Sequence, residues 1–314
     1  MKKTVIIRNI ALALFAVLLL HFSARYLGLV LSPKFEEGEG ENYTLTKDLA
    51  SFYFFTEKAS EIDEVFIGSS HVYCGIDVNI LNREYGKKAI LLATTAQPLE
   101  LSYYAVMAAY ETKRPKTIYL ETYFAISDNQ DQKPLSSRAL LDDMPNWTRA
   151  KYEASKLSGN PMYYYYYPIT DLHSTWWKIR AQDFLPKKLE NGERFGYYSY
   201  QINPMESWEL IDEDETAPIP ETAEHWLQMI CDFCREKGIE LVLYTIPYPA
   251  GAESQAIYHS LSGFAEKNGV EYYDLFECSK IMGINAGTDF KDDHHLNSYG
   301  QEKLTRYMAE YIMK

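Results

Sequence analysis

From about residue 63 onward, short and almost wholly apolar runs alternate with longer segments whose apolar residues recur every three or four positions. The first pattern marks strands buried on both faces, and the second marks helices that cover them. It predicts a strand over 63–68, a helical turn over 78–85, a strand over 89–93, a helix over 99–112 and a strand over 117–121. Pro98 suits the first turn of the second of these helices, and Lys113-Arg114-Pro115 closes it, because proline disfavours helix in the residue before it. This is a βαβαβ sequence with connections long enough for parallel pairing. The alternation stops between 126 and 220 and then resumes as a helix over 221–237, a strand over 239–246, a helix over 254–268, a strand over 270–274 and a last helix over 298–312. Leu304, Tyr307, Met308, Tyr311 and Ile312 form the apolar stripe of that last helix, and Ser298 with Gln301 has capping-box spacing at its start. The chain is therefore of the α/β class.

The segment 126–220 reads as an insertion rich in tyrosine and tryptophan, including Tyr163 to Tyr167, Trp176, Trp177 and Trp208, with an acidic stretch over 206–215. Helices are expected near 136–156 and 171–184, and the insertion is a candidate lid or substrate platform over the strand ends. Simple packing of a small subdomain is the competing account of its aromatics.

The N-terminus has a different pattern. Lys2, Lys3 and Arg8 precede sixteen residues, 9–24, that carry no formal charge, and Arg25 is followed by a further apolar run to Leu31. Sixteen helical residues rise ~24 Å against a hydrocarbon core of ~30 Å, and snorkelling of Arg8 and Arg25 with extension through 26–31 closes the gap. Residues 1–31 thus read as a membrane anchor whose basic end stays inside, which places the rest of the chain on the extracytoplasmic side of the cell membrane. The alternative is a cleaved signal peptide with 10–20 as its apolar region, for which Phe22-Ser23-Ala24 is a poor cleavage site. Residues 32–45, rich in Pro, Gly and Glu, read as a linker, and 46–314 as the folded domain, opening with helical spacing over 46–60.

With 46% hydrophobic and 15% aromatic residues the chain has ample material for a core. A net charge of −13, with no long run among its 31 basic residues, argues against nucleic acid as a partner. Cys74, Cys231, Cys234 and Cys278 would be free to pair in an exported chain. Cys231 and Cys234, however, fall on the apolar stripe of the 221–237 helix, as small core residues do, and no further ligands stand at zinc-site spacing.

Two stretches carry chemistry. Glu64-Val65-Phe66-Ile67-Gly68-Ser69-Ser70-His71 runs a buried strand into a glycine and two serines, and Asp292-Asp293-His294-His295-Leu296-Asn297 lies just before the last helix. A serine hydroxyl is a weak nucleophile until an imidazole takes its proton, and a carboxylate fixes the tautomer of that imidazole. Ser70 as nucleophile, His295 as base and Asp292 as orienting carboxylate fill the three roles. His71 and His294 sit beside these residues and are expected to point away from the chemistry, as structural or supporting groups.

These blocks resemble those of the SGNH/GDSL hydrolase superfamily: 66–71 is similar to its first block, with Ser70 at the nucleophile position, and Asp292 with His295 matches its last D-x-x-H block. The resemblance covers 63–125 and 238–314. It implies a flavodoxin-like three-layer α/β/α fold with a five-stranded parallel sheet, a serine esterase or O-acyltransferase activity, and no metal or organic cofactor. The anchor, the Gly-Ser-Ser variant and the insertion are similar to the proteins of lipoteichoic acid D-alanylation and exopolysaccharide O-acetylation. That implies an acylated glycan or envelope polymer as substrate and a multispanning membrane acyltransferase as partner. Family members place a glycine after the second strand and an asparagine after the third as oxyanion donors. Here those places read Ala93-Thr94-Thr95-Ala96-Gln97 and Leu120-Glu121-Thr122-Tyr123, with Thr95 or Gln97 the expected substitutes. The alternatives to an acyl-transferring or hydrolysing enzyme are a non-catalytic scaffold of the same fold and an esterase or lipase for small or lipid esters.

Overall fold

The computed structural model describes residues 2–31, 54–55, 62–128, 140–141, 143–157, 166–167, 169, 176–184, 196–205, 208–212 and 214–313. The proposed linker 32–45, most of the expected 46–60 helix and much of the insertion lie outside them.

Five strands form one parallel sheet in the order β2-β1-β3-β4-β5. They are β1 (Glu64–Gly68), β2 (Ala89–Ala93), β3 (Thr117–Glu121), β4 (Glu240–Thr245) and β5 (Glu271–Asp274). Val65 pairs with Ile90 on one side and with Ile118 on the other, so β1 lies at the centre of its half of the sheet. Every residue of β1, β2 and β3 is buried, as a parallel sheet covered on both faces requires, whereas β5 is only half-buried at the edge. This is the flavodoxin-like strand order, in which the crossover direction reverses between β1 and β3 and a crevice opens outside their carboxyl ends.

Among the described residues the chain forms nine α-helices. They are α1 (Lys2–Leu31), α2 (Ser70–Gly75), α3 (Val78–Glu84), α4 (Leu99–Thr112), α5 (Arg149–Leu157), α6 (Glu221–Lys237), α7 (Ala252–Asn268), α8 (Ser279–Met282) and α9 (Ser298–Tyr307), the last extended by a π-helical turn, Met308–Ile312. α9 packs against α2 and α3, and α4 packs against α5 and α6. Gln228 and Arg235 of α6 reach Asn268 at the end of α7. Cys231 and Cys234 are buried on α6, and burial pushes both thiols up to about 12. All four cysteines are free thiols.

Several boundaries differ from the expectation. In the expected 136–156 helix, residues 143–148 are turns and α5 begins only at Arg149, since Pro145 interrupts the helical ladder. Within the expected 171–184 helix, the described residues form two short 3-10 turns, Trp176–Lys178 and Ala181–Phe184. The cap of α9 is Asn297 and not Ser298: its Oδ1 accepts from the Tyr299 and Gly300 amides at 3.0 and 3.2 Å. Gln301 does not close a capping box, because its amide is directed to the carbonyls of Tyr73, Ile76 and Tyr197, tying α9 to α2.

α1 is exposed along nearly all its length, and an 18-residue window within Lys3–Gly28 reaches a mean hydropathy of 2.3. It is long and apolar enough to cross a membrane, a property that an uncleaved anchor and a signal sequence share.

Candidate active site

The first block is built by crowding. A Cβ on Gly68 would lie 2.7 Å from Glu121 Cβ and 2.8 Å from Val72 Cγ2, so only glycine lets β3 and the start of α2 approach the end of β1 this closely. The chain then turns directly into α2, a short helix that the sequence reading missed because six residues are too few to show a period. Ser69 becomes its N-cap, with Oγ accepting from the His71 amide at 3.3 Å, and Ser70 its first residue. The two hydroxyls are thereby separated. Ser69 Oγ donates to Glu121 Oε2 at 3.0 Å, whereas Ser70 Oγ lies 2.7 Å from His295 Nε2.

The last block is a tight loop held from below. Phe290 and Leu296 form an antiparallel bridge, and the Lys291 amide donates to the His295 carbonyl at 3.0 Å. The buried Asp289 accepts from the Asn285 amide at 2.7 Å and pairs with Lys303 of α9 at 2.6 Å. Asn297 closes the loop by donating to the Thr288 carbonyl at 2.7 Å. On this support Asp292 Oδ1 accepts from the His294 and His295 amides at 3.0 and 2.8 Å, and its two oxygens lie 2.9 and 3.0 Å from His295 Nδ1. Burial alone would raise the Asp292 carboxyl, but the hydrogen bonds from the His295 ring and the two amides outweigh it and hold the group well below the usual carboxylate range. It is therefore an anion at neutral pH, and a carboxylate on Nδ1 leaves Nε2 free to accept from Ser70.

Ser70, His295 and Asp292, three residues from two distant blocks, thus form one hydrogen-bonded chain at the carboxyl ends of the strands. It opens into a cavity of about 630 Å³ lined by residues that include Ser70, Thr95, Ala96, Tyr123, Ile126 and His295.

The other expected residues divide. Thr95 lines the cavity, with its hydroxyl 3.1 Å from Tyr73 OH. Gln97 does not: it is buried, and its amide donates to Ser102 Oγ at 3.1 Å and to the Leu92 carbonyl at 3.4 Å, bracing the loop into α4. Between them Ala96 lines the cavity with a φ of 48°, a left-handed conformation uncommon for a residue with a Cβ. The periodic pattern of the sequence contains no trace of it. His71 and His294 are not turned away as expected, for both line the cavity. His71 stacks on Tyr123 at 4.1 Å and stands 5.1 Å from the His295 ring, and burial, with the neighbouring His295 next, holds its imidazole well below its ordinary value. It is a neutral aromatic wall.

Of the described part of the insertion, α5 packs against α4 and the segment 197–203 braces the site. The Tyr197 amide donates to the Tyr73 carbonyl at 2.8 Å, the Asn203 amide to the Phe290 carbonyl at 2.9 Å and the Ser298 amide to the Ser199 carbonyl at 2.7 Å, so 197–203 straps α2 to the histidine loop. Trp208 packs edge-on against Phe290 at 5.7 Å. Trp176 and Trp177 are exposed and are not among the residues that line the cavity. Among the described residues, no group of three His, Cys, Asp or Glu side chains is gathered as a metal site.

Glu121, at the end of β3, is buried, and burial pushes its carboxyl up to about 7 against the hydrogen bonds from Ser69 and the Tyr123 amide. The folded chain keeps this proton through a range, from about 4.5 to about 7, in which the unfolded chain has released it. Stability therefore falls as pH rises across that window, by about 3 kcal/mol in total, and is flat above it as far as this group is concerned. Denaturant titrations from pH 4.5 to 8 are expected to show this decline in the wild type and not in Glu121→Gln. Equal slopes in the two proteins would mean that Glu121 does not hold the proton.

No family model matches the sequence, and no curated protein matches it. Solved structures with similarity include a proposed acylhydrolase from Bacteroides fragilis, with a TM-score of 0.39 at 11% identity over 85% of this chain and 95% of that one. A GDSL-like lipase from Bacteroides thetaiotaomicron has a TM-score of 0.39 at 10% identity over 82% of this chain and 91% of that one.

Proposed function

We propose that this chain is a membrane-anchored serine enzyme of the SGNH type that transfers or hydrolyses an ester-linked acyl group on a cell-surface polysaccharide or envelope polymer. The observation that carries the reading is the unbroken chain Ser70 Oγ, His295, Asp292, with contacts of 2.7 and 2.9 Å, opening into a cavity. His295 Nε2 takes the Ser70 proton as Oγ attacks the acyl carbonyl, and Asp292 stabilises the imidazolium. The oxyanion is received by donors of the cavity wall, for which Thr95 and the backbone at Ala96 and Ser70 are the assigned groups. Collapse expels the donor alcohol, which takes the proton back from His295. The acyl-enzyme is then attacked by a hydroxyl of the polymer in transfer, or by water in hydrolysis. With the basic end of α1 inside, the site faces the extracytoplasmic side, where a multispanning membrane acyltransferase would supply acyl groups.

A non-catalytic scaffold is the second reading, favoured by one feature: among the described residues no Asn or Gln side chain lines the cavity, and Gln97 is engaged elsewhere. Deletion of the protein is expected to remove an O-acyl decoration from the envelope polymer, and Ser70→Ala expressed at wild-type level is expected not to restore it. Restoration by Ser70→Ala would replace the enzyme with the scaffold. An increase in decoration on deletion would make the protein a deacylating esterase.

A further inference from the structure

The turn that presents Ser70 is held by a carboxylate to which the reaction above gives no task. Glu121 is buried, and among the described residues no cation pairs with it. Its Oε2 accepts from the Ser69 amide at 3.3 Å and from Ser69 Oγ at 3.0 Å, and its Oε1 accepts from the Tyr123 amide. Burying a carboxyl without a counter-charge is costly, and an apolar residue at the end of a buried strand would avoid that cost. An apolar residue could not, however, accept from both sides. One side leads to the serine: Ser69 Oγ, engaged by Glu121 and by the His71 amide, is held away from His295, and the next residue is Ser70. The other side leads to the base. Tyr123 follows on the third-strand loop, stacks on His71 at 4.1 Å, and His71 in turn stands 5.1 Å from the His295 ring.

We propose that Glu121 is a positioning residue that locks the serine-bearing turn to the Tyr123 wall, so that Ser70 Oγ and His295 Nε2 are held at reacting distance. The inference rests on the reading of Ser70 as the reacting serine. It assigns the second serine of the pair a task as well, as the link through which Glu121 acts.

The variant that tests it is Glu121→Gln, compared with the wild type well above pH 7, where Glu121 has released its proton and both its oxygens accept; the glutamine keeps the shape but has a single acceptor oxygen. It can serve Ser69 or the Tyr123 amide, not both. Inactivation of the full-length protein by a fluorophosphonate separates the apparent affinity of the probe from the maximal rate of serine modification. Glu121→Gln is expected to lower the maximal rate by about 10–100-fold, the scale of a small misplacement of reacting groups, with the affinity within about twofold. A variant that had merely lost stability would instead show a smaller reactive fraction at an unchanged rate. Hydrogen exchange supplies a readout that does not need the serine to react. Amides of 69–75 are expected to exchange about tenfold faster in Glu121→Gln, with β4 unaffected. Modification of Ser70 at an unchanged maximal rate in Glu121→Gln would overturn the inference. If the wild type is not modified at Ser70 at all, the serine reading fails, and unchanged exchange over 69–75 would then overturn the role of Glu121 in holding the turn.

Discussion

Replacing His295 by alanine is expected to slow acylation of Ser70 by a fluorophosphonate, or by an activated ester such as p-nitrophenyl acetate, by about 10²–10⁴-fold, the range that a positioned general base supplies. Among the described residues Ser70 Oγ has one imidazole nitrogen within hydrogen-bond reach, His295 Nε2 at 2.7 Å, and His71, another ring of the cavity, stacks on Tyr123. Without His295 the hydroxyl keeps its proton during attack. The loop should survive the loss, because Asp292 still accepts from the amides at 294 and 295, the 290–296 bridge is backbone, and Asp289 with Asn297 anchors the loop beneath. Thermal melting close to that of the wild type together with the lost rate is the expected pair of results. A rate within tenfold of the wild type would mean that another base serves Ser70.

The second large effect falls on the backbone. Gly68→Ala places a Cβ 2.7 Å from Glu121 Cβ, 2.8 Å from Val72 Cγ2 and 3.0 Å from Glu121 Oε2, and two of those atoms belong to short, buried stems that cannot swing aside. The expected cost is about 3 kcal/mol, the upper end of the overpacking range, and the serine-bearing turn moves with it. Gly238→Ala is the matched comparison. Gly238 ends α6 in a left-handed conformation, with φ of 69°, and a Cβ there meets nothing within 4 Å, so only the conformational strain of about 1–2 kcal/mol applies. Denaturant unfolding of the two variants is expected to separate them, with Gly68→Ala the less stable. Equal losses would show that crowding at the end of β1 is not what requires glycine.

What the chain discloses as sequence follows from the range of the forces involved. The strands were legible because β1, β2 and β3 are buried on both faces and must be apolar throughout, whatever surrounds them. Ser70, Asp292 and His295 were legible because a strand-ending Gly-Ser-Ser and a D-x-x-H before a capped helix leave local signals. The same local reasoning misplaced what depends on tertiary contact. Gln97 looked like a donor to the site, but Ser102 and the Leu92 carbonyl claim its amide. His71 and His294 looked averted because side chains adjacent in sequence usually point apart, yet α2 starts at Ser70 and turns His71 along the cavity wall. Glu121 looked like a gap in the family pattern, because only the approach of β3 to Gly68 brings its carboxyl to Ser69. The aromatic insertion left a lid or platform and simple packing both open; its described residues over 197–203 form a strap, and Tyr163 to Tyr165 lie outside the described residues.

The claim on which the rest depends is that Ser70 is the residue that reacts. Treating the full-length protein with a fluorophosphonate and locating the adduct by peptide mass spectrometry tests it directly. The adduct is expected on Ser70, absent from Ser70→Ala and retained, at a reduced rate, in Ser69→Ala. An adduct on Ser69, a modified Ser70→Ala protein, or a wild type left unmodified at concentrations that label serine hydrolases would contradict the account.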